Sequence, residues 1–136
     1  MKEITKEQRD ALIVKAIAAR KQAYVPYSKY PVGAALLTGS GKIFLGANVE
    51  NAAYPVTICA ERVAIFKAVT EGEKDIQAIA VVTKNGGTPC GSCRQVMAEF
   101  NPKMKIYIAD ELGTIKQETT LKDILPGYFG PESLVR

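Results

Sequence analysis

The chain has 136 residues, 47% of them hydrophobic and 24% charged, with a formal net charge of +4. That length and apolar content suit one domain spanning 1–136 with a proper core, and the 18 basic residues are scattered, with no run that would mark a nucleic-acid-binding arm. Histidine is absent, which excludes imidazole-dependent triads and any zinc site with a histidine ligand.

Residues 1–10 alternate charged and polar types, so neither a secretory signal nor a transit peptide is expected there. No apolar stretch approaches the roughly 20 residues of a membrane-spanning helix. A cytoplasmic protein without membrane or nucleic-acid partners is the expectation. Thr5 with Gln8 reads as a capping box that opens a helix to about residue 23, with Leu12, Ile13, Ala16 and Ile17 on one face. Two strands follow, 32–37 and 43–49, joined by Thr38-Gly39-Ser40-Gly41. In the second, period-two alternation sets Phe44, Gly46, Asn48 and Glu50 together, so Asn48 and Glu50 point the same way.

A helix over 59–70 stops at Gly72, and the continuous apolar run 76–82 reads as a strand covered on both faces. A further helix over 90–100, strands at 106–109 and 115–119, and a short helix near 121–125 complete the pattern. Strands separated by helices imply an α/β protein, a three-layer α/β/α sandwich around a mixed sheet of about five strands.

Three cysteines are an odd count for a disulfide framework. Cys90 and Cys93 stand three residues apart at a predicted helix start, where both side chains share a face and the positive helix end favours thiolate. Cys59 also sits at a predicted helix start, two residues before Glu61. Three thiolates suit zinc, and a three-ligand site keeps a position for water, the catalytic arrangement. A carboxylate closing a structural site, and buried or redox cysteines, stay open as alternatives. Zinc with three thiolates would carry a formal charge of −1, which Arg62 and the helix ends could offset through hydrogen bonds to sulfur. Glu61, beside the metal and not on it, fits a general base.

Cys59-Ala60-Glu61-Arg62 with Pro89-Cys90-Gly91-Ser92-Cys93-Arg94 resembles the signature of cytidine deaminases. Tyr27-Ser28-Lys29-Tyr30, Val32-Gly33-Ala34-Ala35, Asn48-Val49-Glu50-Asn51-Ala52-Ala53-Tyr54, and Leu125-Pro126-Gly127 with Phe129 extend the resemblance to the small homotetrameric branch of that family. The resemblance implies hydrolysis of cytidine and 2′-deoxycytidine to the uracil nucleosides with loss of ammonia, using one zinc per subunit and no organic cofactor. It implies that Asn48 and Glu50 hold the ribose hydroxyls and that Tyr30 packs on the pyrimidine. It also implies that neighbouring subunits of a homotetramer complete each site through residues 52–54 and Phe129, among them Ala52 and Tyr54. The chain departs from the family pattern at Pro55-Val56, where a small residue and Leu are common, and at Val63, where Thr is frequent.

Overall fold

The computed structural model describes residues 3–134, so the two terminal residues at each end of the expected 1–136 domain lie outside the described residues. Helix α1 (Lys6–Ala19) starts with the predicted capping box: Thr5 Oγ1 accepts from Gln8 N at 3.0 Å, and Gln8 Oε1 accepts from Thr5 N at 2.9 Å. A 3-10 turn over Arg20–Gln22 carries the helical backbone on to the expected end.

Strands β1 (Gly33–Thr38), β2 (Ile43–Ala47), β3 (Ile76–Val82), β4 (Lys105–Ala109) and β5 (Ile115–Thr120) form one sheet in the order β2-β1-β3-β4-β5. Among these five strands, only β3 and β4 pair in parallel. A parallel pair needs a crossover, supplied by helix α3 (Gly91–Phe100). Helix α2 (Ala60–Thr70) joins β2 to β3, and the short α4 (Leu121–Ile124) follows β5.

The pleat sends alternate side chains into two cores. On one face Leu12, Ile13 and Ala16 of α1 pack on Ala35, Leu37, Ala78, Ala80 and Val82. On the other, Ala64 and Ile65 of α2 and Cys93 and Met97 of α3 pack on Leu36, Ile79, Val81, Ile106 and Ile108. β3 is buried along its whole length, which is why its sequence is apolar without alternation. Helices on both faces make the three-layer α/β/α sandwich. Among the described residues, no helix is long and apolar enough to cross a membrane.

Two details place the site. Gly46 lets β2 lie directly against the start of α2, since a Cβ there would stand 2.3 Å from Ala60 O and 2.6 Å from Ala64 N. The second strand is also shorter than the predicted 43–49. Its pairing with β1 ends at Gly33 opposite Ala47. Beyond that point Val49 bridges instead to Tyr24 and Ile58, and Tyr24 N donates to Asn48 O at 2.9 Å. Extended backbone thus continues past β2 but exchanges its partner strand for two flanking segments.

Candidate active site

α2 runs away from one end of the sheet, β3 returns to it and α3 leaves again, so the starts of α2 and α3 lie at the same end. Cys59 and Cys90 are the N-cap residues of these helices, both with extended backbone, and Cys93 is in the first turn of α3. The helix starts predicted at 59 and 90 are therefore displaced by one residue, each cysteine standing just outside its helix.

Cys59 Sγ lies 3.9 Å from Cys90 Sγ, Cys90 Sγ lies 3.6 Å from Cys93 Sγ, and all three sulfurs fall within 4.8 Å of one another. Sulfurs about 2.3 Å from a tetrahedral zinc are about 3.8 Å apart, so the donor set and its spacing fit that ion, and the separations are far longer than a disulfide bond. Arg62 Nη2 donates to Cys59 Sγ at 3.4 Å, which places the positive charge on the thiol cluster. Arg62 Nε is buried without a hydrogen-bond partner among the described residues, leaving the guanidinium a further donor beside the thiols.

The three thiols are not equivalent as acids. The hydrogen bond from Cys93 and, after it, the Arg62 guanidinium pull Cys59 down to about 5 against the effect of burial. Cys93 retains the proton it gives to that bond and is pushed well above the usual thiol range, with burial acting in the same direction. A metal ion would displace these protons. Glu61 is 4% exposed, and burial pushes its carboxyl up to about 7, against a bond from its own backbone N–H and with added repulsion from the Cys59 thiolate. A carboxyl with that value can both take and return a proton near neutral pH.

Cys59, Cys90, Glu61 and Arg62 open onto a cavity of about 450 Å³, while Cys93 is fully buried and does not line it. Tyr30, Asn48, Glu50, Tyr54, Cys59, Glu61, Arg62 and Cys90 all line it, so the structure brings together most of the residues singled out in the sequence. Ala52 and Phe129 do not line it; both are exposed, and Phe129 O accepts from Gln95 Nε2 at 2.6 Å. Pro55, within the 3-10 turn Tyr54–Val56, does line it, so the departure from the family pattern falls on the cavity wall.

Asn48 and Glu50 point into the cavity side by side, as period-two alternation requires, and are only 8% and 3% exposed. Their burial does not need a ligand to explain it. Asn48 Oδ1 accepts from Val32 N at 2.9 Å and its Nδ2 donates to Tyr30 O at 3.0 Å. Glu50 Oε1 accepts from Tyr27 N and Ser28 N, both at 3.1 Å, and Oε2 from the Tyr54 hydroxyl at 3.3 Å. Although burial alone would raise the Glu50 carboxyl, the Ser28 side chain and, after it, these bonds hold it below the usual carboxylate value. The loop over residues 27–32 is thereby folded onto the two side chains.

Sequence reasoning did not single out Ser28, Thr57, Thr83, Gly87 or Thr88, which also line the cavity. Ser28 lies inside the Tyr27-Ser28-Lys29-Tyr30 stretch, whose pattern gives it no role of its own, and the others show only proximity to motifs, as Thr88 just before Pro89-Cys90 and Thr57 just before Ile58-Cys59.

Residues 6–109 match the family model described as the cytidine and deoxycytidylate deaminase zinc-binding region. The chain belongs to this deaminase family. Among its relatives, a cytidine deaminase of Halalkalibacterium halodurans is 54% identical over 129 residues, covering 93% of this chain and 97% of that protein. A cytidine deaminase of Sporosarcina psychrophila is 52% identical over 128 residues, covering 92% and 93%. The crystal structure of a cytidine deaminase from Burkholderia pseudomallei, 45% identical, superposes with a TM-score of 0.85 over 92% of this chain and 99% of that one. The α/β sandwich with its mixed sheet is thus the deaminase fold, and zinc is the metal this family binds.

Proposed function

We propose that this deaminase hydrolyses cytidine and 2′-deoxycytidine to uridine and 2′-deoxyuridine with release of ammonia, a reaction of pyrimidine salvage. The observation that carries the reading is a cluster of three thiols at zinc-binding spacing, two of which, Cys59 and Cys90, line one cavity together with the buried Glu61 carboxyl and the Asn48 and Glu50 pair.

Cys59, Cys90 and Cys93 would hold one zinc per subunit, and the bound ion supplies the Lewis acidity that makes water a nucleophile at neutral pH. Glu61 takes one proton from the attacking water and gives it to N3 of the cytosine, where it stays, and then passes the second water proton, from the hydroxyl added at C4, to the amino group, which leaves as ammonia. Arg62, donating to Cys59, moderates the negative charge of the thiolates. The Tyr30 ring packs on the pyrimidine.

Asn48 and Glu50 hold the ribose hydroxyls. Asn48 Nδ2 uses one N–H on Tyr30 O and has a second to offer, and the Glu50 carboxylate, fixed by Tyr27 N, Ser28 N and the Tyr54 hydroxyl, lines the same cavity. Among the described residues lining the cavity Arg62 is the sole cation, and it is engaged with sulfur, which favours an uncharged nucleoside over a phosphorylated one.

Assembly belongs to the same reading. An apolar hollow formed by Val49, Ile58, Val63 and Phe66 lies open, with Val49 and Phe66 47% and 43% exposed, which supports burial against further copies in a homotetramer. Ala52 and Phe129, outside their own chain's cavity, then contribute to a neighbour's site, whereas Tyr54 serves its own. A cytoplasmic enzyme acting as one domain completes the proposal.

The test is to follow the ultraviolet absorbance of cytidine with the zinc-loaded protein and with Glu61→Gln at equal zinc content. Turnover by the parent and a loss of at least about 100-fold in the variant are expected. No turnover by a fully zinc-loaded, folded parent would reject the substrate.

A further inference from the structure

Across the mouth of the cavity, the loop over residues 27–32 meets the loop over residues 83–89 at one pair of side chains. The Tyr30 hydroxyl donates to Asn85 Oδ1 at 2.5 Å, joining residues 55 apart in sequence. Tyr30 is already fixed at its backbone, where N donates to Ser28 Oγ and O accepts from Asn48 Nδ2, both at 3.0 Å. The bond to Asn85 fixes the other end of the ring.

On the far side, Asn85 precedes Gly86 and Gly87, and Gly86 has φ 76°, so this stretch has wide backbone freedom unless it is tied down. Thr83, 4% exposed, ties it from below: Gly87 N donates to Thr83 Oγ1 at 2.8 Å, and that hydroxyl lies 3.5 Å from Asn85 Oδ1. Gly87 passes beneath the ring's tip, where a Cβ would come within 3.2 Å of the Tyr30 hydroxyl oxygen. Three residues later the chain reaches Cys90. Asn85 is exposed and does not line the cavity, so it acts on the cavity through Tyr30.

We propose that Tyr30 and Asn85 form a latch across the cavity mouth, with Asn85 a positioning residue that sets the tilt of the Tyr30 ring and holds residues 84–88 over the site. The ring's contact with the pyrimidine rests on the nucleoside reading above. The latch itself is formed without substrate and serves ground state and transition state alike, so its loss raises KM and leaves kcat in place.

The test uses zinc-loaded parent protein, Tyr30→Phe, Asn85→Ala, Asn85→Asp and the double variant Tyr30→Phe/Asn85→Ala, each checked for fold and zinc content. For cytidine, Tyr30→Phe and Asn85→Ala should each raise KM about three- to tenfold, the range of one net hydrogen bond, with kcat within about twofold. The double variant should be no worse than the worse single, because both remove the same bond. Asn85→Asp keeps the acceptor oxygen and should restore the parent KM. Amide hydrogen exchange over residues 84–88 should accelerate in Tyr30→Phe as much as in Asn85→Ala, and this readout needs no substrate. A chain that does not turn over cytidine would sink the nucleoside reading, and exchange alone would then decide the latch. KM effects that multiply in the double variant, an unchanged KM in Tyr30→Phe, or parental exchange at 84–88 in that variant would overturn it.

Discussion

Gly46→Ala is the substitution through which the fold reaches the chemistry most directly. The added methyl would stand 2.3 Å from Ala60 O, 2.6 Å from Ala64 N and 3.0 Å from Ala64 Cβ, and the first two are backbone atoms that no rotamer change can remove. Restoring ordinary contact at about 3.4 Å moves the start of α2 outward by about 1 Å. Overpacking of this kind costs about 1–3 kcal/mol, which for a chain of this size lowers Tm by roughly 3–12 °C. The same movement carries Cys59, Glu61 and Arg62, and a displacement of about 1 Å in reacting groups can cost about 100-fold in rate. Calorimetry, zinc titration and cytidine turnover on one preparation should show all three effects together. Gly91→Ala is the control, since a Cβ there meets nothing within 4 Å. A Gly46→Ala protein matching the parent in Tm and turnover would refute the claim that this close approach sets the position of α2.

Cys93 is fully buried, so Cys93→Ser should abolish zinc retention and lower Tm, read by metal analysis and calorimetry. Chelation of the parent should lower Tm and remove activity, and added zinc should restore both, because a ligand bound only by the native state stabilises it by mass action. The Glu50 carboxyl lies below its usual value of 4.5 in the folded chain. Its bonds to the loop at 27–28 are therefore present above that value and lost as pH falls through the lower folded value. KM for cytidine should rise in that acid window, and Glu50→Gln should show no such rise. Asp110 behaves alike at the β4–β5 turn, where Thr114 N and Leu112 N each donate to Oδ1 at 3.0 Å and hold the carboxyl below 3.8. Asp110→Ala should lower Tm at neutral pH, with the difference from the parent vanishing in strong acid.

The elements were legible because each rests on a local or periodic signal: Thr5 and Gln8 for the start of α1, an unbroken apolar run for β3, and alternation through Phe44, Gly46, Asn48 and Glu50 for the direction of two site residues. The thiol cluster was legible too, since helix starts bring their caps to one end of a sheet. What could not be read was the loop that holds Asn48 and Glu50 in place. Its bonds, from Val32 N to Asn48 and from Tyr27 N and Ser28 N to Glu50, span 16 to 23 residues and join side chains to backbone, so no spacing rule announces them. Alternation therefore shows that the pair points one way, and the partners that fix it, which the protein supplies itself, emerge only in three dimensions. Thr83 and Asn85 were missed on the same ground: their roles come from loop geometry, and Asn85-Gly86 in isolation reads only as a turn.

The two cores on opposite faces of the sheet divide the labour of the molecule. The residues proposed for chemistry lie at the ends of elements on the α2 and α3 side, while Leu12, Ile13 and Ala16 of α1 meet the sheet from behind. Protein engineers commonly find that stabilising changes erode activity because both draw on the same residues. Here the exposed flank of α1, where Val14 is 65% exposed, offers ground for solubilising substitutions, surface tethering or fusion at a distance from the cavity.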